Sequence, residues 1–308
     1  MGLHVMDQFT YQIGLEEDDE RLDKWMSHVL TDLSRSYIQK CIKDNEVFVN
    51  NKPQKASYRL KVDDEIIFRI PEAVEPAIEA ENIPLSILYE DNDLLIVDKP
   101  KGMVVHPAPG HYSGTLVNAV MYHCKDNLSG INGVLRPGIV HRIDRDTTGS
   151  IIICKNDLAH NSIAGQLKEH TITRKYRAIV HGVIVPDEGT VNGAIGRDPK
   201  DRKKMALNEQ NGKPAVTHYK VLKRLKEYTY IECQLETGRT HQIRVHMTSI
   251  GHPLLGDEVY GLRKSPYHLC GQTLHAMVIG FIHPSTGQYM EFTAPLPEYF
   301  EHLLQILE

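Results

Sequence analysis

The chain has 308 residues, of which 41% are hydrophobic and 24% charged, and its formal net charge is −5. Ordinary globular proportions at this length predict two domains, since a domain usually takes roughly 100–200 residues. No segment approaches the ~18 uninterrupted apolar residues of a membrane span, and the N-terminus lacks the pattern of a signal peptide. Five cysteines without a C-x-x-C pair argue against a disulfide framework or zinc ribbon. We therefore expect a cytoplasmic protein with no membrane partner.

The first predicted elements are two short helices followed by a hairpin. "RLDKWMSHVL" places its apolar residues at helical spacing, and "SRSYIQKCIK" predicts a second helix with Ser34 as its N-cap. "EVFVNNK" alternates as a strand that ends at the hairpin dipeptide Asn50-Asn51. "DDEIIFRI" then predicts the strand that closes this unit near residue 70.

Basic residues are concentrated in two places on this acidic chain. Residues 35–61 contain seven basic residues against two acidic ones, next to the acidic run 16–20, and residues 197–204 contain five against two. Phosphate binding draws on Lys and Arg, so either cluster could bind nucleic acid. A solvated surface explains the same charges equally well, and charge alone leaves both interpretations open.

A proline-rich segment separates the first unit from the rest of the chain. "PEAVEPAIEAENIP" has three prolines and four glutamates, which is typical of a linker, so we place the domains at 16–80 and 81–308. Strands dominate after residue 85, and the predicted class is α+β. The predicted strands are "LSILYEDNDLLIVDKP" (two strands and a turn), "SIIIC", "TRKYRAIVHGVI", "AVTHYKVLKRL" and "YTYIECQLETG"; the predicted helices are "TLVNAVMYHC", "LAHNSIAGQLKEH" and "THQIRVHMTSIG", the last ending at Gly251.

The stretch "PGIVHRIDRDTTGSIIICKN", residues 137–156, packs charged side chains immediately before an apolar strand. His141, Asp144 and Asp146 have a spacing that could bind a metal ion, but Arg142 and Arg145 between them would repel a cation. A second interpretation is structural, with Arg142 and Asp146 forming an ion pair across a turn.

A third interpretation is a carboxylate nucleophile that neighbouring arginines keep ionised, because a nearby guanidinium lowers the pKa of an aspartate. "ETGRTHQIRVHM" supplies Arg239 and Arg244 at a turn into a helix. Asp144 and Asp146 are equally plausible nucleophiles by charge and spacing.

Several motifs, in the same order, resemble those of the RluA/RluD family of RNA pseudouridine synthases. "HRIDRDTTG" resembles the signature H-R-L-D-x-x-T-S/T-G, and "EDNDLLIVDKPKGMVVHP", "RKYRAIVHG" and "ETGRTHQIRVHMTSIGHPLLGD" resemble the family's other motifs across residues 85–295. "RLDKWMSHVLTDLSRSYIQKCIKDNEVFVNNK" resembles the S4 RNA-binding domain of the RluD and RluC branches. Ile143 in place of leucine, Ser150 in place of an aliphatic residue, and Asp44-Asn45 in place of a glycine turn depart from the pattern.

The resemblance implies a fold and a set of site residues. The fold is a small S4 (alpha-L) domain followed by a catalytic domain with a mixed, mostly antiparallel sheet flanked by helices and loops. Asp144 is the implied nucleophile, Tyr176 the tyrosine that stacks on the target uracil and could help remove the C5 proton, and Arg244 the partner of Asp144. Arg142 is the arginine that fills the space left by a flipped base. The implied RNA-binding residues of the S4 domain are Arg35, Lys40, Lys43 and Lys52.

The implied reaction breaks the N1–C1′ bond of uridine, turns the base and rejoins it through C5, so it needs no cofactor and no metal. The absence of a Walker A loop or a G-x-G-x-x-G fingerprint agrees with this. We expect a monomer that acts on 23S ribosomal RNA or a precursor of the large ribosomal subunit, with RluC-like uridines as the alternative target. Two other classes stay open: a non-catalytic RNA-binding ribosome-assembly factor, and a metal-dependent hydrolase using His141, Asp144 and Asp146.

Overall fold

The computed structural model describes residues 7–31, 33, 35–70, 78–107, 112–125, 127–131, 136–201, 204–261 and 267–308. The chain divides into two compact units, Met1–Pro76 and Ala77–Glu308. No helix in the described ranges is long and apolar enough to cross a membrane. The predicted N-cap Ser34, half of the predicted linker and two residues of the second basic cluster lie outside the described residues.

The first unit combines a four-stranded antiparallel sheet with two helices around one apolar core. Its elements are β1 (Asp7–Gln12), a 3₁₀ turn (Leu15–Glu17), α1 (Leu22–Val29), α2 (Arg35–Lys43), β2 (Val47–Val49), β3 (Lys52–Pro53) and β4 (Glu65–Ile70). The strand order is β1-β4-β2-β3. The strand predicted to close the unit, β4, therefore lies inside the sheet between β1 and β2, and β1 was not predicted from the sequence patterns.

Turn chemistry explains two features of this unit. The predicted hairpin at Asn50-Asn51 is confirmed: Val49 pairs with Lys52, and both asparagines have positive φ, as a type I′ turn requires. Asn45 also has a φ of 61°, so it adopts the left-handed conformation that a glycine turn would otherwise provide at this place.

The second unit contains one large sheet, a small hairpin and four helices among the described residues. Its elements are β5 (Ser86–Glu90), β6 (Leu94–Lys99), α3 (Leu116–Cys124), β7 (Thr148–Cys154), α4 (Asp157–Lys168), β8 (Thr173–His181), β9 (Glu188–Asn192), β10 (Ile195–Arg197), β11 (Met205–Leu207), β12 (Val216–Arg224), β13 (Tyr228–Leu235), α5 (Gln242–Ser249), β14 (Leu274–Ile282), β15 (Tyr289–Thr293) and α6 (Glu298–Ile306).

The large sheet has the order β5-β6-β7-β14-β8-β13-β12-β9, with β15 paired to β14, and β10 and β11 form a separate hairpin. Only β7 and β14 run parallel among the described pairs, so the predicted α+β class with a mixed, mostly antiparallel sheet is confirmed. The predicted helix at "THQIRVHMTSIG" is α5, and Gly251 follows it with a φ of +85°.

The junction of β7 and β14 lies directly behind the charged loop 141–147. Ser150 is buried and its Oγ donates to the carbonyl oxygen of Ala276 at 2.9 Å, so this departure from an aliphatic residue adds a bond between the two strands. Tyr176 of β8 lies opposite Ala276 on one side and Cys233 of β13 on the other. Since β13 leads into α5, the sheet brings the charged loop 141–147, Tyr176 of β8 and the start of α5 close together.

Candidate active site

A buried lysine holds the loop that carries Asp144. The Lys99 side chain is fully buried at the end of β6, and its ammonium donates to the carbonyl oxygens of Pro100, Met103 and Arg145, each at 2.9 Å. Burial lowers the pKa of Lys99 to about 7, while nearby carboxylates, Asp146 foremost, act in the opposite direction. Because Arg145 follows Asp144 directly, this bond fixes the backbone beside the proposed nucleophile.

Arg244 of α5 bonds two carboxylates at once. Its Nη1 donates to Oδ2 of Asp144 at 2.9 Å, and its Nε and Nη2 form a bidentate pair with Asp257 at 2.7 and 2.9 Å. Asp257 is fully buried and also accepts the backbone N–H groups of Val259 and Tyr260. Burial alone would lower the pKa of Arg244, but its bonds to Asp257 and Asp144 raise it, so the guanidinium stays charged.

Tyr260 links the Arg244 guanidinium to His241. The guanidinium carbon lies 5.0 Å from the centre of the Tyr260 ring, a cation–π distance. The Tyr260 hydroxyl accepts the N–H of Met205 at 2.8 Å and lies 2.8 Å from Nδ1 of His241. Burial lowers the pKa of His241, and its Nε2 lies 3.8 Å from Oδ1 of Asp144. A neutral imidazole that takes the phenol hydrogen at Nδ1 therefore points an N–H group toward the Asp144 carboxylate.

The start of α5 is held by the side chain of Gln242. Its Oε1 accepts from the backbone N–H of Arg239 and the hydroxyl of Thr237, at 2.9 and 2.8 Å, and its Nε2 donates to Val216 and Thr217 of β12. The helix is therefore attached to the sheet two residues before Arg244.

Asp144 and Tyr176 line one cleft with Arg244. The cleft has about 370 Å³ of open space, and Arg142, Arg239 and His241 complete its polar wall. Asp144 retains about a fifth of its side-chain exposure, whereas Tyr176 is buried to 8%. Burial raises the pKa of Tyr176; Arg174 opposes this and Asp144 adds to it. The structure therefore brings together Asp144, Tyr176, Arg244 and Arg142, as the sequence motifs predicted.

Asp146 points elsewhere. It forms a bidentate pair with its neighbour Arg145, at 3.0 and 2.9 Å, so the structural interpretation held the right kind of bond but named Arg142 in place of Arg145. The exposed Arg142 instead has its Nη1 3.4 Å from Nε2 of His106. The guanidinium of Arg145 and the carboxylate of Asp146 are adjacent in the turn and can form two parallel hydrogen bonds, which explains why Arg145 is the partner of Asp146.

The metal interpretation has no geometric support. His141 accepts the N–H of Ile152 at Nε2 (2.9 Å), and burial lowers its pKa to about 3, so it anchors the loop to β7 as a neutral ring. Within the described ranges, no group of three or more His, Cys, Asp or Glu side chains is arranged to hold a metal ion. His246 likewise hydrogen-bonds Thr217 and Gly193, so it ties α5 to β12 and to the segment after β9.

The basic residues of the first unit differ in their surroundings. Arg35 donates to Oδ2 of Asp23 at 3.0 Å, a fully buried carboxylate that also accepts from Arg21 and Gln39. Lys40, Lys43 and Lys52 are exposed on α2 and β3. Arg35 therefore has a structural bond in addition to any contact with a ligand.

Lys99, Asp257 and Tyr260 are among the residues of the site to which the sequence motifs assign no role. Lys99 and Asp257 do fall within the motif stretches "VDKPKG" and "PLLGD". In each, a charged residue close to a glycine is the only sequence feature that could have indicated a role. Their partners lie 46 and 13 residues away, which no local pattern indicates.

Comparison with known proteins gives consistent matches over both units. The family described as RNA pseudouridylate synthase matches residues 93–249, and the S4 domain family matches residues 20–66. An uncharacterized RNA pseudouridine synthase of Bacillus subtilis is 53% identical over 98% of this chain and 99% of its own length. The ribosomal large subunit pseudouridine synthase D of Zymomonas mobilis is 44% identical over 97% of this chain and 98% of its own. The solved structure of human RNA pseudouridylate synthase domain containing 1 is similar with a TM-score of 0.58 and 26% identity, covering 74% of this chain and 96% of the human one.

Proposed function

The chain belongs to the RNA pseudouridine synthase family, and from that premise we propose that it converts specific uridines of large-subunit ribosomal RNA to pseudouridine. The name of the Zymomonas mobilis relative supports this target, and relatives in Neisseria meningitidis carry the same name. An S4 domain before the catalytic domain supports binding to structured RNA. RluC-like uridines in 23S ribosomal RNA are the alternative target.

One observation supports the mechanism most directly: the bond between Arg244 and Asp144 at the wall of the cleft that Tyr176 also lines. The reaction breaks the N1–C1′ bond, turns the uracil and forms a C5–C1′ bond; N1 gains a proton and C5 loses one. Asp144 acts as the nucleophile, on the base or on the sugar, because Arg244 Nη1 holds its Oδ2 at 2.9 Å at the wall of the cleft. A neighbouring cation that is itself held by Asp257 costs no reorganisation during the reaction.

The other proposed roles follow from position and charge. Tyr176 stacks on the uracil, and its raised pKa keeps the phenol neutral, which favours stacking over removal of the C5 proton. Arg142, exposed at the mouth of the cleft, occupies the space of the flipped base. Lys40, Lys43 and Lys52 contact RNA phosphates, and Arg35 shares that task with its bond to Asp23. We also propose a monomeric, cytoplasmic enzyme; ribosomal RNA as the substrate supports the location.

The experiment that tests this function compares Asp144→Asn with Asp146→Asn. The first change keeps the size and most hydrogen bonds of the side chain but removes the nucleophile, so turnover should disappear while the fold and RNA affinity persist. The second should leave turnover measurable, because Asp146 bonds Arg145 and does not line the cleft. The assay is tritium release from C5-labelled uridine in ribosomal RNA.

Thermal unfolding and RNA binding of each variant are the controls. A folded Asp144→Asn protein that turns over at the rate of the unmodified chain would refute the nucleophile. If the unmodified chain released no tritium from any ribosomal RNA, an RNA-binding assembly factor would be favoured over an enzyme.

A further inference from the structure

A second cleft adjoins the cleft of Asp144 and shares a wall with it. It has about 1140 Å³ of open space, and Arg142, Tyr176, Leu235 and Arg239 line both clefts. The lining is completed by the loop before β7, the C-terminal end of α4, the first residues of β8 and the loop between β13 and α5. A ligand whose reacting part lies beside Asp144 can therefore extend directly into this second cleft.

The second cleft, which we call the cationic cleft, is lined by basic side chains from four segments. They are Arg142, Lys168, His170, Arg174 and Arg239. None of its described lining residues is an aspartate or glutamate. Lys168 and His170 are exposed at its rim, whereas Arg142 and Arg239 form the wall next to the uridine site. Concentrated positive charge without a neighbouring carboxylate favours a polyanion.

Arg174 shows that this charge is built into the fold. Its side chain is buried to 7%, yet it makes one hydrogen bond within the described part of the chain, from Nη2 to the carbonyl oxygen of Glu236 at 3.0 Å. Its Nε is buried without a partner. A side chain at Gly238 would place a Cβ atom 2.5 Å from Nη1, so the guanidinium lies directly on the glycine backbone.

A buried guanidinium with an unpaired donor and no carboxylate is unfavourable for folding. Burial lowers the pKa of Arg174, and Arg239 lowers it further, which reflects the same unfavourable environment. The arrangement becomes favourable once an anion enters, because Arg binds phosphate groups with several donors in one plane.

We infer that the cationic cleft binds the phosphodiester backbone of the RNA strand on one side of the target uridine. This inference rests on the proposed function, which provides the strand that carries the uridine. Arg239 meets the phosphate nearest to the flipped nucleotide, Arg174 supplies buried charge behind it, and Lys168 and His170 meet the strand as it leaves the protein.

The test is Lys168→Ala, with Lys226→Ala as the matched control. Both lysines are exposed, but Lys226 lies in the turn between β12 and β13, at the far end of β13 from the residues opposite Tyr176. The probe is a labelled oligouridylate of about ten nucleotides, a length that spans one single-strand binding site. Dissociation constants are measured over a range of salt concentrations.

Lys168→Ala should weaken binding severalfold and make the slope of log affinity against log salt shallower by about 0.7, the value for one phosphate contact on a single strand. Lys226→Ala should change neither. An oligouridylate with neutral methylphosphonates in place of its phosphates should abolish the difference between Lys168→Ala and the unmodified chain. Arg174→Lys, which keeps the charge but loses the planar fork, should also weaken binding.

Unchanged affinity and slope in Lys168→Ala would overturn the inference, and this result remains decisive if the Arg174 variant does not fold, because Lys168 is exposed. The binding assay needs no turnover. If the unmodified chain failed to modify ribosomal RNA while Lys168→Ala still lost one phosphate contact, the proposed function would fail and the cationic cleft would stand as an RNA-binding site.

Discussion

Arg244 is the residue that connects the two carboxylates of the site, Asp257 and Asp144. Its bidentate fork binds Asp257 in the interior, and its remaining nitrogen reaches Asp144 at the cleft. The buried carboxylate therefore orients the guanidinium, and the guanidinium orients the carboxylate of Asp144, the proposed nucleophile. A lysine ammonium in this position could not make the planar pair and the third bond together.

Replacing Arg244 should lower activity in the order Arg, Lys, Met. Met removes the charge beside Asp144 and leaves Asp257 buried without its partner, which should cost about 3–5 kcal/mol in the free energy of unfolding at neutral pH. Tritium release at saturating RNA and urea unfolding measure the two effects. A fully active Arg244→Met enzyme would show that Asp144 does not depend on this guanidinium, and would move the role to Arg239 or Arg142.

The stability deficit of Arg244→Met should shrink in acid. In the unmodified chain, burial would raise the pKa of Asp257, but Arg244 holds that pKa below its ordinary value of 3.8. The stability that the ionised Asp257 contributes to the fold is therefore present above pH 3.8 and is lost as the pH falls through the lowered pKa. Without Arg244, burial raises that pKa, so the variant loses stability as pH rises. The deficit should be larger near pH 7 than near pH 4, and adding Asp257→Asn should reduce it at neutral pH.

Tyr260→Phe tests the link between the hydroxyl and His241. The change keeps the ring beside Arg244 but removes the bonds to Met205 and His241, so kcat should fall by about tenfold or less, in line with the loss of one or two hydrogen bonds. The KM for RNA should not change, since Tyr260 lies behind the site. A normal kcat would mean that His241 does not need this bond to face Asp144.

At the residue level, the motifs named groups that the structure places together, whereas contacts between distant segments could not be read from the sequence. Asp144, Tyr176 and Arg244 were predicted to share a site, and they line one cleft. The partner of Asp146 was wrong, and Lys99 was not assigned a role, because its bond to Arg145 depends on how β6 packs under the loop.

At the scale of elements, the junction of β7 and β14 determines where the catalytic loop lies. Gly149 pairs with Ala276 and has a φ of +106°, and a Cβ atom there would overlap the Ala276 backbone. The two strands approach each other so closely that only a glycine fits.

Gly149→Ala should therefore lower the free energy of unfolding by about 2–4 kcal/mol, through backbone strain and overpacking together. The matched control is Gly165→Ala in α4, where an added Cβ meets nothing within 4 Å and the helix should gain about 0.5–1 kcal/mol. Denaturant unfolding measures both. Equal stability of the two variants would show that β7 and β14 can separate at Gly149 without loss.

Element prediction followed the hydrophobic pattern. The strands and helices predicted between residues 85 and 250 are present, because their apolar residues recur at regular spacing or, in β7, form an unbroken run. β14 was not predicted; like β7 it is largely buried on both faces and shows no alternation. β1 was not predicted either, because its polar sequence becomes a strand only by pairing with β4.

At the scale of the whole molecule, two units with separate cores predict separable functions. Removing residues 1–76 deletes the core that includes Trp25 and Phe68 but none of the residues that line the cleft of Asp144. The truncated chain should keep its turnover at saturating RNA while binding ribosomal RNA more weakly and with a shallower salt dependence, because exposed lysines of α2 and β3 are lost.

Filter binding at several salt concentrations, together with tritium release at high enzyme concentration, checks this prediction. An unchanged affinity and salt slope would mean that the basic surface of the first unit is only solvated. Composition and motifs predicted both units. No sequence pattern indicates that the basic side chains of the cationic cleft, which come from four separate segments, lie close together.

The parallel pairing of β7 with β14 also sets the order in which the chain can mature. Thr148 and Ser150 bond residues 126 positions downstream, so the strand behind the loop of Asp144 gains its second neighbour only after those further residues have been made. Contacts this distant along the chain form late in folding, since the intervening loop must first be closed. A nascent or C-terminally shortened chain could therefore display a finished RNA-binding unit while its catalytic centre is still unassembled.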